Sequence, residues 1–133
     1  MLENFERNLS SFKELRDELC ANPARRHIMM DPEWSRPEAS EEVKATLYPI
    51  FRKIGAKGVY YDGECSFRVA YWSVGFGGDG DYKYYTYNPP LERNNDAKIF
   101  LETLDRVDRA SIDHEFYLRP IADDWYLAFD HWP

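Results

Sequence analysis

The chain has 133 residues, a formal net charge of −7 at pH 7, 44% hydrophobic residues and 31% charged residues. This length is typical of one domain with its own core, and the balance of apolar and charged residues excludes a disordered chain. We therefore treat residues 1–133 as a single domain. The negative charge disfavours binding to double-stranded nucleic acid, because contacts with the phosphate backbone depend on clusters of Lys and Arg.

Acidic and aromatic residues are unevenly distributed along the chain. Residues 92–133 contain ten acidic and five basic residues, which accounts for most of the net charge. Aromatic residues make up 17% of the sequence, and ten of the 22 rings lie between Tyr60 and Tyr87. One small core cannot bury so many tyrosines, and Tyr and Trp commonly anchor interfaces. The composition therefore predicts an exposed aromatic surface near carboxylates.

The first half of the chain predicts two helices. Apolar residues recur at steps of three and four over residues 2–20, as in an amphipathic helix. Residues 24–36 show no clear period and are interpreted as a connection. Ser35–Glu38 has the pattern of a capping box, and the second helix that it would start ends at Gly55.

From residue 57 the apolar period changes to two, which predicts strands. Strands are expected at 58–61, 65–74, 82–87, 114–120 and 125–131, with a short helix at 96–104. In the last hairpin, Phe116 and Leu118 are expected to face the core together with Trp125. The order of elements predicts an α+β fold. An antiparallel four- to five-stranded sheet would carry two N-terminal helices and one short inserted helix, all packed on one face.

No pattern in the sequence predicts a catalytic, cofactor or metal site. Gly75-x-Gly77-x-x-Gly80 has the spacing of a dinucleotide fingerprint, but a strand is predicted after it instead of the required helix. The histidines show no zinc-type spacing. The many carboxylates fall in predicted turns and on exposed strand faces, which give a general acid or base no apolar environment. We therefore expect a protein that is not an enzyme and binds no cofactor.

Cys20 and Cys65 are far apart in the sequence and do not form a metal-binding pattern. A disulfide between them stays open, but buried free thiols are favoured, because disulfide-dependent secreted domains usually carry several cysteine pairs. The N-terminal segment has acidic residues from Glu3 and no long apolar run, so it predicts neither a signal peptide nor a membrane span. The expectation is a cytoplasmic protein with no membrane partner.

The second half of the chain contains the segments Gly80–Pro89, a predicted helix ending at Leu104-Asp105, Tyr117–Ile121 and Trp125–Leu127. Together these resemble small uncharacterised bacterial and phage proteins. The chain is also broadly similar to the immunity proteins of polymorphic toxin systems, which are small, acidic, cytoplasmic α+β proteins. The resemblance covers roughly residues 57–130. It implies inhibition of a toxin or host enzyme by occlusion and assigns no role to individual residues.

These observations predict a macromolecular binding protein whose partner is another protein. A basic partner is expected, because it would complement the negative charge of the chain. The predicted contact residues are Asp79, Asp81, Tyr82, Tyr84, Asp123 and Asp124. One alternative is a small enzyme or ligand-binding domain with a pocket between the sheet and the helices. Another is a structural protein that forms a homodimer through its tyrosine-rich face. The sequence leaves open whether the protein is a monomer or a homodimer.

Overall fold

The computed structural model describes residues 1–22, 27–31, 35, 39–75, 80–89, 97–100 and 115–132. In these ranges the helices are α1 (Leu2–Arg7), α2 (Leu9–Ala21) and α3 (Glu41–Ile54). The strands are β1 (His27–Met29), β2 (Gly58–Gly63), β3 (Ser66–Val74), β4 (Gly80–Tyr87), β5 (Ala97–Phe100), β6 (Glu115–Ala122) and β7 (Trp125–Trp132). They form a seven-stranded sheet in the order β1-β2-β3-β4-β7-β6-β5. The predicted α+β class is confirmed, and the sheet is larger than expected.

The strands missing from the sequence prediction lie at the two edges of the sheet. β1 falls in the predicted connection and pairs antiparallel with β2. β5 falls within the helix predicted at 96–104 and pairs parallel with β6. The prediction of an inserted helix is therefore wrong at residues 97–100, and the other positions of that predicted helix lie outside the described residues. A short apolar run gives too few periods to distinguish a helix from an edge strand.

The single helix predicted over residues 2–20 is divided at Asn8. This residue leaves the helical conformation, with φ −111° and ψ 25°. Its side-chain amide donates to the carbonyl oxygen of Asn4 at 3.2 Å. Asn side chains compete in this way with the hydrogen bonds of the helix backbone. The break separates α1 from α2.

The second predicted helix, α3, begins later than the capping box indicated. Ser40 is its N-cap, and the Ser40 hydroxyl accepts a hydrogen bond from the Val43 amide at 3.2 Å. Ser35 is buried, and its hydroxyl accepts a hydrogen bond from the Met29 amide at 3.0 Å. The residue expected to cap the helix, Ser35, therefore hydrogen-bonds to β1 instead. The predicted end of the helix at Gly55 is confirmed, since this residue adopts a left-handed conformation with φ 73°.

Aromatic rings fill the space between the helices and the sheet. The ring centroid of Phe12 lies 4.7 Å from that of Tyr85 and 5.4 Å from that of Trp125. Phe5 lies 4.8 Å from Phe12. Each of these side chains is almost completely buried. Other residues of the same core are Leu15, Leu19, Leu47, Phe51, Ile54, Val59, Phe67, Val69 and Leu127. The packed rings occupy the place where one alternative located a ligand pocket.

The register of the β6–β7 hairpin differs from the prediction. Leu118 pairs with Ala128, three residues from Trp125, so Leu118 and Trp125 lie on opposite faces of the sheet. Phe116, two residues from Leu118, shares the face of Leu118. The prediction that Phe116 and Leu118 face the core with Trp125 is therefore wrong. The pairing is irregular within Pro120–Ala122, and a shift of one residue moves a strand's side chains to the other face.

Candidate binding site

Cys20 and Cys65 form a disulfide bond, with their Cα atoms 4.8 Å apart. Cys20 is the next-to-last residue of α2, and Cys65 lies in the turn between β2 and β3. The expectation of free thiols is wrong, because the packing of α2 on the sheet joins two positions that their spacing does not connect. Disulfides persist mainly in oxidising compartments. The cysteines therefore give no support to a cytoplasmic location.

Two turns meet at one end of the sheet and are joined by Asn88. The Asn88 backbone amide donates to the carbonyl oxygen of Asp124 at 2.8 Å. The Asn88 side-chain amide donates to the carbonyl oxygen of Glu64 at 3.4 Å. The side chains of Glu64, Asp123 and Asp124 are exposed at this end. We call these three residues the acidic turns.

Both turns contain left-handed backbone. Glu64 and Cys65, the central residues of the β2–β3 turn, have φ values of 51° and 57°. Asp124 in the other turn has φ 58°. Two-residue hairpins of this type are usually formed by Asn-Gly or a similar pair, because Cβ disfavours left-handed backbone. The Cys65 amide also donates to the hydroxyl of Tyr61 at 2.9 Å, so covalent and hydrogen bonds together hold this turn.

A second group of residues lies on the sheet face turned away from the helices, which we call the outer face. Since Tyr85 packs against the helices, the alternation of a strand places Tyr84 and Tyr82 on the outer face. The rings of Tyr82 and Tyr84 are 6.3 Å apart and inclined by 14°. The Arg68 guanidinium carbon lies 5.3 Å from the Tyr60 ring centroid and 5.8 Å from that of Tyr84. Tyr60, Arg68, Tyr82 and Tyr84 are the tyrosine–arginine cluster.

The charge in this cluster is neutralised within the chain. Arg68 donates to both carboxylate oxygens of Asp62, at 3.1 Å and 3.2 Å, which is the bidentate geometry of a strong ion pair. Burial raises the pKa of the Tyr84 phenol well above its usual value of about 10. The positive charge of Arg68 opposes this shift and the carboxylate of Asp130 adds to it. Tyr84 therefore remains a neutral phenol at physiological pH.

The outer face is not a continuous exposed aromatic surface. Several of its smaller side chains are buried: Ser66, Ala70, Thr86, Leu118 and Ala128. Tyr60, Tyr82 and Tyr84 are themselves only partly exposed. Tyrosine rings on β4 therefore point to both faces of the sheet, but the exposed aromatic surface that they offer is smaller than the composition suggested.

Asp81 and His131 form a buried pair across β4 and β7. The Asp81 Oδ1 and His131 Nδ1 atoms are 2.6 Å apart, and the two residues are 9% and 6% exposed. Asp81 was among the predicted partner contacts, but its carboxylate is engaged inside the protein. The pair was missed in the sequence because residues on strands far apart in the chain carry no spacing signal. Only the β4–β7 register reveals it.

The remaining predicted contact residues are divided between the two groups. Tyr82 and Tyr84 belong to the tyrosine–arginine cluster, whereas Asp123 and Asp124 belong to the acidic turns. Tyr82 lies five residues along β4 from Tyr87, which is opposite Trp125 at the acidic end. This is a distance of about 17 Å along the strand. The predicted residues therefore do not form one patch, and Asp79 lies outside the described residues.

The described ranges contain no group of three or more His, Cys, Asp or Glu side chains arranged to hold a metal ion. None of the helices in the same ranges has the length and apolar composition that a membrane crossing requires. Comparisons with protein-family models, curated proteins and solved structures found no match.

Proposed function

We propose that the protein is an immunity-like or phage-encoded inhibitor that binds a basic protein and occludes its surface. The observation that supports this most strongly is the joining of two turns by Asn88, which presents the carboxylates of Glu64, Asp123 and Asp124 at one end of the sheet. Exposed charges of one sign steer a partner of opposite sign and set its orientation. A backbone that is already held in place loses little further freedom on binding.

Tyr60, the member of the tyrosine–arginine cluster on β2, extends the surface formed by the acidic turns. β2 leads directly from Tyr60 through Asp62 to the turn at Glu64. A partner wider than the acidic turns would therefore also contact the ring of Tyr60. Tyrosine rings supply much of the affinity of protein interfaces, while charged residues at the rim mainly increase the association rate. The two groups thus have complementary roles in this proposal.

The disulfide favours an oxidising compartment as the place where the protein acts. Alkylation of thiols in intact cells before lysis tests this. We expect Cys20 and Cys65 to remain unmodified until a reductant is added. Rapid modification of both residues in untreated cells would instead locate the protein in a reducing compartment.

A neutralising variant of the acidic turns tests the binding function. It carries Glu64→Gln, Asp123→Asn and Asp124→Asn, which change the charge by three while keeping side-chain size. A matched control carries Glu3→Gln, Glu6→Gln and Glu14→Gln, at exposed positions of α1 and α2. Both variants therefore have the same net charge.

The assay is retention of a partner by the immobilised protein from a host extract, at low and at physiological salt. We expect the wild type and the control to retain one basic protein in a 1:1 ratio. The variant of the acidic turns should retain it at least about tenfold less, the equivalent of 1.4 kcal/mol. Equal retention by the two triple variants, or no partner even at low salt, would contradict the proposal.

A further inference from the structure

The β2–β3 turn combines a covalent link with a backbone conformation that its residues do not favour. Glu64 and Cys65 both carry a Cβ, yet both have positive φ. The disulfide joins Cys65 to Cys20, close to Leu19, which is completely buried in the core. The end of α2, which carries Cys20, is therefore held in place by the packing of the core. The link to it opposes relaxation of the turn toward the right-handed conformations that Glu and Cys prefer.

The bridge lies at the margin of the core. Cys20 packs against the core cluster and is only partly buried, and Cys65 is also partly exposed. Exchange with an external thiol requires that the thiol reach one of the two sulfur atoms. Partial exposure of both cysteines makes this approach feasible without unfolding of the aromatic core.

We propose that Cys20–Cys65 is a reversible redox site, which a dithiol reductant opens in the folded protein and which controls the conformation of the β2–β3 turn. A thiolate of the reductant attacks one sulfur atom of the bridge, which forms a mixed disulfide with that cysteine and releases the other cysteine. The second thiol of the reductant then attacks the reductant's own sulfur in the mixed disulfide and releases the remaining cysteine. The reductant is released as its own disulfide. Its two electrons and two protons are left on Cys20 and Cys65 as two thiols.

Relaxation of the turn changes the surfaces on both sides of it. Pairing of β2 with β3 is already irregular at Tyr61–Gly63, so this end of the hairpin can shift. Asp62 would then move relative to Arg68, and Glu64 relative to Asp124. The oxidised form holds the acidic turns in one arrangement, and the reduced form does not. This last consequence rests on the proposed function, whereas the redox site does not.

Hydrogen exchange of the Cys65 amide, which donates to the hydroxyl of Tyr61, measures the state of the turn. The full chain is compared before and after treatment with dithiothreitol at neutral pH, and the thiols are counted by alkylation and mass spectrometry. We expect both thiols to form without denaturant and the Cys65 amide to exchange roughly tenfold faster, since left-handed backbone costs of order 1–3 kcal/mol per residue. The Tyr85 amide in the core strand should remain the slower of the two in both states, because it exchanges only through global unfolding. Thiols that form only when the whole chain unfolds, or unchanged exchange at Cys65, overturn the proposal.

Two variants test whether faster exchange at Cys65 comes from relaxation of the turn and not from the reductant itself. Cys20→Ser should show the fast exchange at Cys65 without any reductant. Glu64→Asn keeps the disulfide and introduces a residue that tolerates left-handed backbone at one of the two positions, so reduction should accelerate exchange less than it does in the wild type. A full tenfold acceleration in Glu64→Asn would overturn the claim that the disulfide holds this backbone. Partner retention that is unchanged on reduction, despite faster exchange, would refute the link to binding and leave the proposed function intact.

Discussion

Replacing both cysteines by serine, Cys20→Ser with Cys65→Ser, removes the covalent link between α2 and the β2–β3 turn. In the unfolded chain the disulfide closes a loop across a sequence separation of 45 residues. In the chain-entropy model, closing a loop of this size raises the free energy of the unfolded state by about 4 kcal/mol at 25 °C. The double variant loses this contribution to its free energy of unfolding.

Part of the loss is offset in the folded state. Left-handed backbone costs roughly 1–2 kcal/mol at each residue with a Cβ. The Asn88 side chain still bonds to the Glu64 carbonyl oxygen in the variant, so we expect relaxation at only one of positions 64 and 65, which recovers about 1–2 kcal/mol. We therefore expect a net loss of about 2–3 kcal/mol. The unfolding entropy of a 133-residue chain is about 280 cal/mol/K near 60 °C. The midpoint of thermal unfolding should then fall by roughly 7–11 °C.

Urea unfolding followed by tryptophan fluorescence measures this change, because Trp125 is 2% exposed in the folded protein. Without the link the unfolded chain expands, so the dependence of the free energy on urea should become steeper. Wild-type protein in reductant should unfold at the same midpoint as the double variant. A loss below about 1 kcal/mol, with an unchanged urea dependence, would show that the disulfide does not constrain the unfolded chain as the loop model requires.

Three further changes test the core and the buried polar pair. Phe12→Ala should lower the free energy of unfolding by about 3–5 kcal/mol in urea, since Phe12 packs between Tyr85 and Trp125, and a loss below 1 kcal/mol would refute this packing. Asp81→Ala should cost about 1.5–3 kcal/mol in the same assay, because it removes a buried hydrogen-bond partner of His131. Burial raises the pKa of Tyr85 to about 12, against about 10 in the unfolded chain, so the unfolded state loses this proton first as pH rises. The corresponding stability, roughly 3 kcal/mol, is complete below pH 10 and is lost as the pH rises through about 12. Tyr85→Phe should flatten this part of the pH dependence, and a curve parallel to that of the wild type would contradict the prediction.

The central strands could be predicted because their side chains alternate between two environments. In β4, Tyr85 faces the helices while Tyr84 faces outward, and period-two alternation in the sequence reports this directly. The end of α3 was also predictable, because Gly55 supplies the left-handed residue that closes a helix. These signals are local, so a short stretch of sequence contains them.

The features that the sequence did not reveal depend on contacts between distant segments. The edge strand β1 is only three residues long and is identified by its pairing with β2. The disulfide and the pair of Asp81 with His131 depend on how elements pack and on strand register. Asn88 joins the acidic turns through bonds to two other segments of the chain. No periodicity or spacing encodes such relations, so the sequence could not show which of these residues lie together.

The acidic turns are a better candidate for partner contact than the tyrosine–arginine cluster. Arg68 is already paired with Asp62 and lies against two tyrosine rings, so a partner would have to disrupt existing interactions to use its charge. The carboxylates of Glu64 and Asp124 are exposed, and the backbone that carries them has unfavourable left-handed conformations held by bonds from elsewhere in the chain. Strained backbone of this kind tends to occur at functional sites, where the rest of the fold maintains it. Exposed carboxylates and strained backbone therefore occur together at one end of the sheet, whereas the charge of Arg68 on the outer face is already paired within the chain.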